Sequence, residues 1–125
     1  MIHLDTNFLV DLVTAGSPGG LKILGWLKSG NSVTTSAVAW SEFCNGPLSK
    51  LQKDAAFTVL DRKIAEFTWR EAEEAARLFN MSGRRRGSHA NCMIAAAAIV
   101  SGHPLATFNT ADFQRLVPFG LVLEG

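Results

Sequence analysis

Three acids and one amide stand in short segments whose residue types suit a site for a hard metal ion. Asp5 ends the apolar run Ile2-His3-Leu4, and Glu42 interrupts Ala37-Val38-Ala39-Trp40-Ser41 and Phe43-Cys44. Asp112 follows Thr107-Phe108-Asn109-Thr110-Ala111, and Asn91 opens the run Cys92-Met93-Ile94 with four alanines behind it. Carboxylates brought together repel one another unless a cation lies between them. Mg2+ and Mn2+ take such oxygens in company with water. A cation held this way neutralises charge building on a phosphoryl group and activates a water for attack. Asn91 brings an amide oxygen without a charge. The three carboxylates that remain suit one weakly held ion better than two.

The elements that must position these residues alternate between strand and helix. Ile2 to Leu4 reads as a short buried strand, and Thr6 to Val13 as a helix that Asp5 or Thr6 can cap. Gly16-Ser17-Pro18-Gly19-Gly20 is expected to break that helix. Leu21, Ile23, Leu24, Trp26 and Leu27 give the next helix its apolar surface, ending at Ser29-Gly30. Ser32 to Ser36 is a second strand, rich in short polar and β-branched residues. A helix over Ala37 to Asn45 stops at Gly46-Pro47. Leu48 to Leu60 is helical, and Ile64 to Phe67 is a third strand.

Thr68 to Ser82 is the clearest amphipathic helix. Thr68 and Glu71 form a capping box, and Ala72, Ala75, Ala76 and Phe79 form its stripe. After the basic loop Gly83-Arg84-Arg85-Arg86-Gly87, Ser88 is placed to cap a helix from His89 to Ser101, stopped by Gly102. Leu105 to Phe108 is a strand, Thr110 to Leu116 a short helix, and Gly120 to Leu123 a last strand. Strands separated by helices predict an α/β fold in three layers, α/β/α, whose central, mostly parallel sheet has four to five short strands. Ligands of such sheets bind beyond the carboxyl ends of the strands. Asp5 and Asp112 follow strands at that edge, and Glu42 and Asn91 lie on helices that can face it.

Each residue also has a plain structural use. Asp5 can cap a helix, Asp112 can sit in a first helical turn where the dipole favours it, and Asn91 can be an ordinary polar residue near a helix start. Glu42 can lie on a solvated stripe with Ser41 and Asn45, although its apolar neighbours argue for a paired or metal-bound carboxylate. Arg84, Arg85 and Arg86 can form a solvated loop or contact phosphates. Trp40, Trp69 and Phe108 can stack bases, but core packing is the simpler use of each. His3, His89 and His103 lack partners at ligand spacing and are not assigned as ligands. What favours a site is coincidence, because three separate segments each deliver an acid to one sheet edge.

Taken together, Leu4-Asp5-Thr6-Asn7, Glu42, the Ala90-Asn91-Cys92-Met93-Ile94-Ala95-Ala96 segment and Thr107-Phe108-Asn109-Thr110-Ala111-Asp112 resemble the PIN-domain nucleases, most closely the VapC-type toxins of toxin–antitoxin pairs. The resemblance runs over nearly the whole chain, as one PIN domain over residues 1–125. It implies an endoribonuclease dependent on Mg2+ or Mn2+, with Asp5, Glu42 and Asp112 as metal ligands and Thr6 and Asn109 as supporting polar groups. It further implies an RNA substrate, a homodimer, and a small antitoxin protein that blocks the site. The family has an aspartate where this chain has Asn91. The fourth ligand position is thus degraded, with an expected loss of at least ~10–100-fold. An amide here fits natural degeneration or deliberate inactivation, and a catalytically inactive PIN domain that binds RNA or antitoxin is the alternative reading. A phosphatase using a strand-end aspartate would want a second acid two residues on, where Asn7 stands.

The whole chain agrees with these expectations. It has 125 residues, 47% of them hydrophobic, which excludes a disordered chain. A net charge of +1 gives no global attraction to nucleic acid, but after Glu74 the only carboxylate side chains are Asp112 and Glu124. Arg77, Arg84, Arg85, Arg86 and Arg115 share that stretch and make it locally basic. Cys44 and Cys92 show no zinc-ligand spacing, which with the lack of an export signal predicts reduced thiols and a cytoplasmic protein. The uncharged stretch from Gly87 to Ala111 is interrupted by polar residues, which argues against a membrane span.

Overall fold

The computed structural model describes residues 1–124. Three parallel strands form the sheet: β1 (Ile2–Leu4), β2 (Val33–Thr35) and β3 (Leu105–Ala106), in the order β2-β1-β3. Around it run α1 (Thr6–Leu12), α2 (Pro18–Lys28), α3 (Ala37–Cys44), α4 (Lys50–Val59), α5 (Trp69–Met81), α6 (His89–Ser101) and α7 (Thr110–Gln114). The connection leaving β1 leads to one neighbour, and the connection leaving β2 returns to the other. Strand order therefore reverses at β1, and the crevice beyond its carboxyl end is where such sheets hold ligands. Asp5 is the first residue past that end.

Two expected strands are reduced to single parallel bridges, Ser36 with Ala65 and Leu105 with Leu123. Each still exchanges a pair of backbone bonds with the sheet. Ala65 N donates to Thr35 O and Ala65 O accepts from Ala37 N, while Leu105 N donates to Val122 O and Leu105 O accepts from Glu124 N. The sheet is thus three strands wide with a one-residue rung at either margin, and such short edges resist pairing with other chains.

The Gly16–Gly20 segment departs from its expected role. Instead of only breaking α1, it starts α2: Ser17 caps the helix by accepting from Gly20 N, and Pro18 is its first residue. Gly19 N donates to Asp11 Oδ2 at 2.8 Å, and a Cβ on Gly19 would lie 2.6 Å from that oxygen. Only glycine permits so close an approach between α1 and α2. Leu21, Leu24 and Leu27 of α2 are exposed, so its buried side is narrower than its composition suggested; Ile23 carries it.

In α5 the capping box of Thr68 and Glu71 forms as expected. The stripe is rotated, however. Glu71, Ala75 and Leu78 are buried, while Ala72 and Ala76 face solvent. Burying a carboxylate here is tolerable because both oxygens of Glu71 accept from Thr68, one from its backbone N and one from its hydroxyl. Ser88 does not cap α6; its hydroxyl donates to Arg85 O at 2.7 Å and ties the basic loop to the helix start. Ala95 to Ala98, with Cys92 and Ile94, are all buried, and this smooth face lets α5 pack closely on α6. The last helix is shorter than expected, and its end is replaced by a 3-10 turn at Val117–Phe119 around Pro118.

Trp40 is half-buried against Phe43 and Phe57, as expected for core packing. Trp69 is not in the core, being 63% exposed with the Arg70 guanidinium over its ring. Among the described residues no helix is long and apolar enough to cross a membrane.

Candidate functional site

Asp5 serves two purposes at once. Its Oδ1 accepts from Thr6 N at 2.7 Å, which caps α1, and its Oδ2 accepts from the Thr107 hydroxyl at 2.7 Å. The carboxylate is only 5% exposed. Burial pushes its pKa above the ordinary value of 3.8; the bonds from Thr107 and Thr6 pull the other way, and the nearby Glu42 charge adds to the rise.

Glu42 projects from the first half of the chain to the same place. Its Oε1 accepts from the Thr6 hydroxyl at 2.7 Å, so Thr6 binds one carboxylate with its backbone and the other with its side chain. Glu42 itself lies on the solvent side of α3. On the far side of Asp5 the bonding continues. The Thr107 oxygen accepts from Asn109 N at 2.9 Å, and Asn109 Nδ2 donates to Asp112 Oδ2 at 3.0 Å. Glu42, Thr6, Asp5, Thr107, Asn109 and Asp112 thereby form one continuous chain across the end of β1 and β3. Asn7 pins the same crossing, its Oδ1 accepting from Phe108 N at 3.4 Å.

Asp112 also lines a cleft of about 130 Å³ with Asn91, Ser88, Gly87, Arg85, Arg86 and Arg115. Asp5 and Glu42 do not line it. The four expected positions thus fall into two pairs, Asp5 with Glu42 and Asp112 with Asn91, joined through Thr107 and Asn109. The charge of the second pair's cleft is inverted relative to a cation site, since three arginines surround one carboxylate and one neutral amide. Arg84 is turned elsewhere. Its guanidinium binds Asn80 Oδ1 and lies over the Phe79 ring, away from the cleft-lining set.

The donors fit a hard divalent cation in kind. Asp5 and Glu42 offer carboxylate oxygens that Thr6 ties to one another, binding Asp5 through its backbone N–H and Glu42 through its hydroxyl, and burial works against the uncompensated Asp5 charge. They do not make a finished cage. Among the described residues, no three His, Cys, Asp or Glu side chains are grouped to hold a metal ion.

Thr107 and Arg115 went unassigned from sequence. Thr107 had a usable signal: a hydroxyl at the end of a strand parallel to the one that delivers Asp5. Arg115 lies three residues beyond Asp112, the spacing that puts two side chains on one helical face. A third residue, His3, is fully buried on β1, stacked on His103 with ring centroids 5.9 Å apart. Burial, then the His103 and N-terminal charges, lowers its pKa to about 4, and its Nδ1 has no hydrogen-bond partner.

Comparison with known proteins adds the family. No curated protein matches the chain. Solved structures of similar fold include VapBC2 from Rickettsia felis, bound to a promoter DNA fragment, at TM-score 0.74 and 22% identity over 99% of this chain and 98% of that one. FitAcB from Neisseria gonorrhoeae matches at TM-score 0.72 and 22% identity, covering 99% and 97% of the two chains. The VapC20 toxin of Mycobacterium tuberculosis, described as cleaving the sarcin–ricin loop, matches at TM-score 0.66 and 18% identity over 98% and 97%. The family model of the PIN domain matches residues 2–117, and the chain belongs to the PIN domain family.

Proposed function

We propose that this chain is a VapC-type endoribonuclease that hydrolyses RNA phosphodiesters, with its activity reduced by Asn91. The observation that carries the reading is the hydrogen-bonded chain from Glu42 through Asp5 to Asp112, ending in a cleft lined by Arg85, Arg86 and Arg115. Asp5 and Glu42 would hold Mg2+ or Mn2+, with Asp112, linked to Asp5 through Thr107 and Asn109, as a further oxygen donor; the ion would supply charge neutralisation and an activated water. Thr6, Thr107 and Asn109 fix the carboxylate oxygens so that they need not reorganise during the reaction. Arg85, Arg86 and Arg115 attract and orient the phosphate, for which guanidinium groups have the right geometry. Asn91 contributes an amide where a further charge would strengthen the cation site. The toxin–antitoxin complexes among the similar structures support a small antitoxin protein as partner, and the family resemblance supports a homodimer. An RNA substrate and two unpaired cysteines, Cys44 and Cys92, suit a cytoplasmic setting.

One observation favours a second reading, a PIN domain that binds RNA or antitoxin without cleaving. The cleft beside Asp112 carries three arginines and Asn91, a better match to an anion than to a cation. Cleavage of a mixed RNA with Mn2+ or Mg2+ separates the two. The nuclease reading expects weak, EDTA-sensitive cleavage by the chain as it stands, rising at least ~10–100-fold in Asn91→Asp. If neither protein cuts while RNA or antitoxin still binds, the binding module replaces it.

A further inference from the structure

Phe108 lies between the two residues that bridge the carboxylates. Thr107, before it, bonds Asp5, and Asn109, after it, bonds Asp112. Its own N–H is held by Asn7 Oδ1. The ring stacks on Phe8, centroids 4.3 Å apart and planes within 3° of parallel, and Phe8 in turn leans on Trp26 at 5.7 Å. Phe8 is buried, yet Phe108 is 45% exposed. One ring face is therefore turned to Phe8, which leaves the opposite face and the ring edges to carry the exposure. A single exposed aromatic is ordinary on a protein surface. This one differs in being the outer member of a three-ring cluster and in having, on both flanks, residues whose side chains bond the site's carboxylates.

We propose that the outer face of Phe108 is a stacking platform for one nucleobase of a single-stranded RNA whose backbone passes the arginine cleft. The inference rests on the RNA-directed reading given above. Bases stack on aromatic faces whatever their identity, because each has a π-surface, so the platform would position a strand without reading its sequence. The ring is already fixed by Phe8 and by the bonds at Thr107, Phe108 and Asn109, so little side-chain freedom is lost when a base arrives. The segment that sets the ring also sets Asp112, one of the cleft's walls. A base on Phe108 and a phosphate beside Arg115 would thus be held to a common frame. RNA is favoured over a protein contact because the segment that carries the ring also delivers Asp112 to the arginine-lined cleft.

The test is fluorescence polarisation of a labelled short single-stranded RNA with EDTA present, so that binding is read without cleavage. Phe108→Ala is expected to weaken binding by about 5- to 160-fold, the range for loss of one base–aromatic stack. Phe108→Tyr should bind like the parent, and Phe108→Leu like Phe108→Ala. An RNA with an abasic residue at the stacked position should bind the parent and Phe108→Ala alike. The slope of affinity against salt should be the same in parent and Phe108→Ala, since no phosphate contact is removed. Parent-like affinity in both Phe108→Ala and Phe108→Leu would overturn the platform while leaving the RNA reading intact. Parent-like affinity in Phe108→Leu alone would also overturn it, because an apolar contact would then suffice. Absence of RNA binding by the unaltered chain would overturn both readings.

Discussion

Replacing Thr107 by Val keeps the shape of the side chain and deletes one hydroxyl. That hydroxyl donates to Asp5 Oδ2 at 2.7 Å and accepts from Asn109 N at 2.9 Å. Asp5 and Thr107 are both buried, so water cannot easily take over either bond. A bond to a neutral group is worth about 0.5–1.5 kcal/mol and one to a charged group about 1.5–3 kcal/mol. The loss should therefore depend on whether Asp5 is protonated. Burial holds the Asp5 pKa above its ordinary value of 3.8 in the folded protein. Such a group favours folding while protonated, and its contribution is lost as pH rises through the folded pKa. The Thr107 bond opposes that rise, and deleting it moves the folded pKa further up. Thr107→Val should accordingly cost roughly 1 kcal/mol in acid and about 1.5–3 kcal/mol once Asp5 is ionised in the parent. Urea unfolding of both proteins in EDTA, from about pH 3.5 to about pH 8, reads the difference directly. A deficit that stays flat, or shrinks as pH rises, would refute the reasoning, because the hydroxyl would then not be stabilising the charged carboxylate.

Two further outcomes follow from other parts of the molecule. His3 has a folded pKa of about 4 against an ordinary 6.5. Its folded form therefore binds fewer protons than its unfolded form between those values; its stability contribution is complete above 6.5 and declines as pH falls towards 4. About 3 kcal/mol should be lost over that window at roughly 1.4 kcal/mol per unit. His3→Leu should flatten it, and parallel slopes in the two proteins would refute the assignment. Arg115→Ala removes one cation from the cleft and should lower the salt slope of RNA binding by about 1, with a nearly uniform loss across RNA sequences. An unchanged slope would place the phosphate elsewhere.

The fold was largely legible because its punctuation is chemical. Thr68 and Glu71, Gly102, and the alanine run of α6 each announce a cap, a stop or a close contact, and each is found in that role. Errors came where one residue type permits two uses. Gly16 to Gly20 reads as a breaker, but Ser17 and Pro18 also spell a helix start, and the short Gly19–Asp11 contact selects the second. In α5, alanine is compatible with either face. Leu78 and the capped Glu71 settle the rotation, and a buried glutamate is not visible in a stripe of apolar residues. The outer strands shrank to single rungs because one backbone exchange on each side suffices to end the sheet.

The juxtaposition of Asp5, Glu42 and Asp112 was legible in the sequence, and its electrostatics less so. The predicted order of strands and helices brings Asp5, Glu42 and Asp112 to one sheet edge, but it cannot say that Asp112 is walled by arginines while Asp5 is bound by the Thr107 hydroxyl and the Thr6 N–H. That difference follows from folding the basic loop back on α6, where the Ser88 hydroxyl holds Arg85 O. Arg85 and Arg86 then line the Asp112 cleft, whereas Arg84 is drawn to Asn80 and Phe79. Within that cleft Asn91 has a physical consequence beyond one missing ligand. An aspartate there would set two carboxylates against three guanidinium groups; the amide leaves one. An amide in place of a carboxylate therefore shifts the pocket from near balance towards anion binding, on the side of the site to which the proposed function assigns the phosphate. On the proposed nuclease reading, an amide at this position would lower cation affinity and raise phosphate affinity together, so weakened cleavage and firmer RNA retention are the paired outcome that Asn91→Asp should reverse.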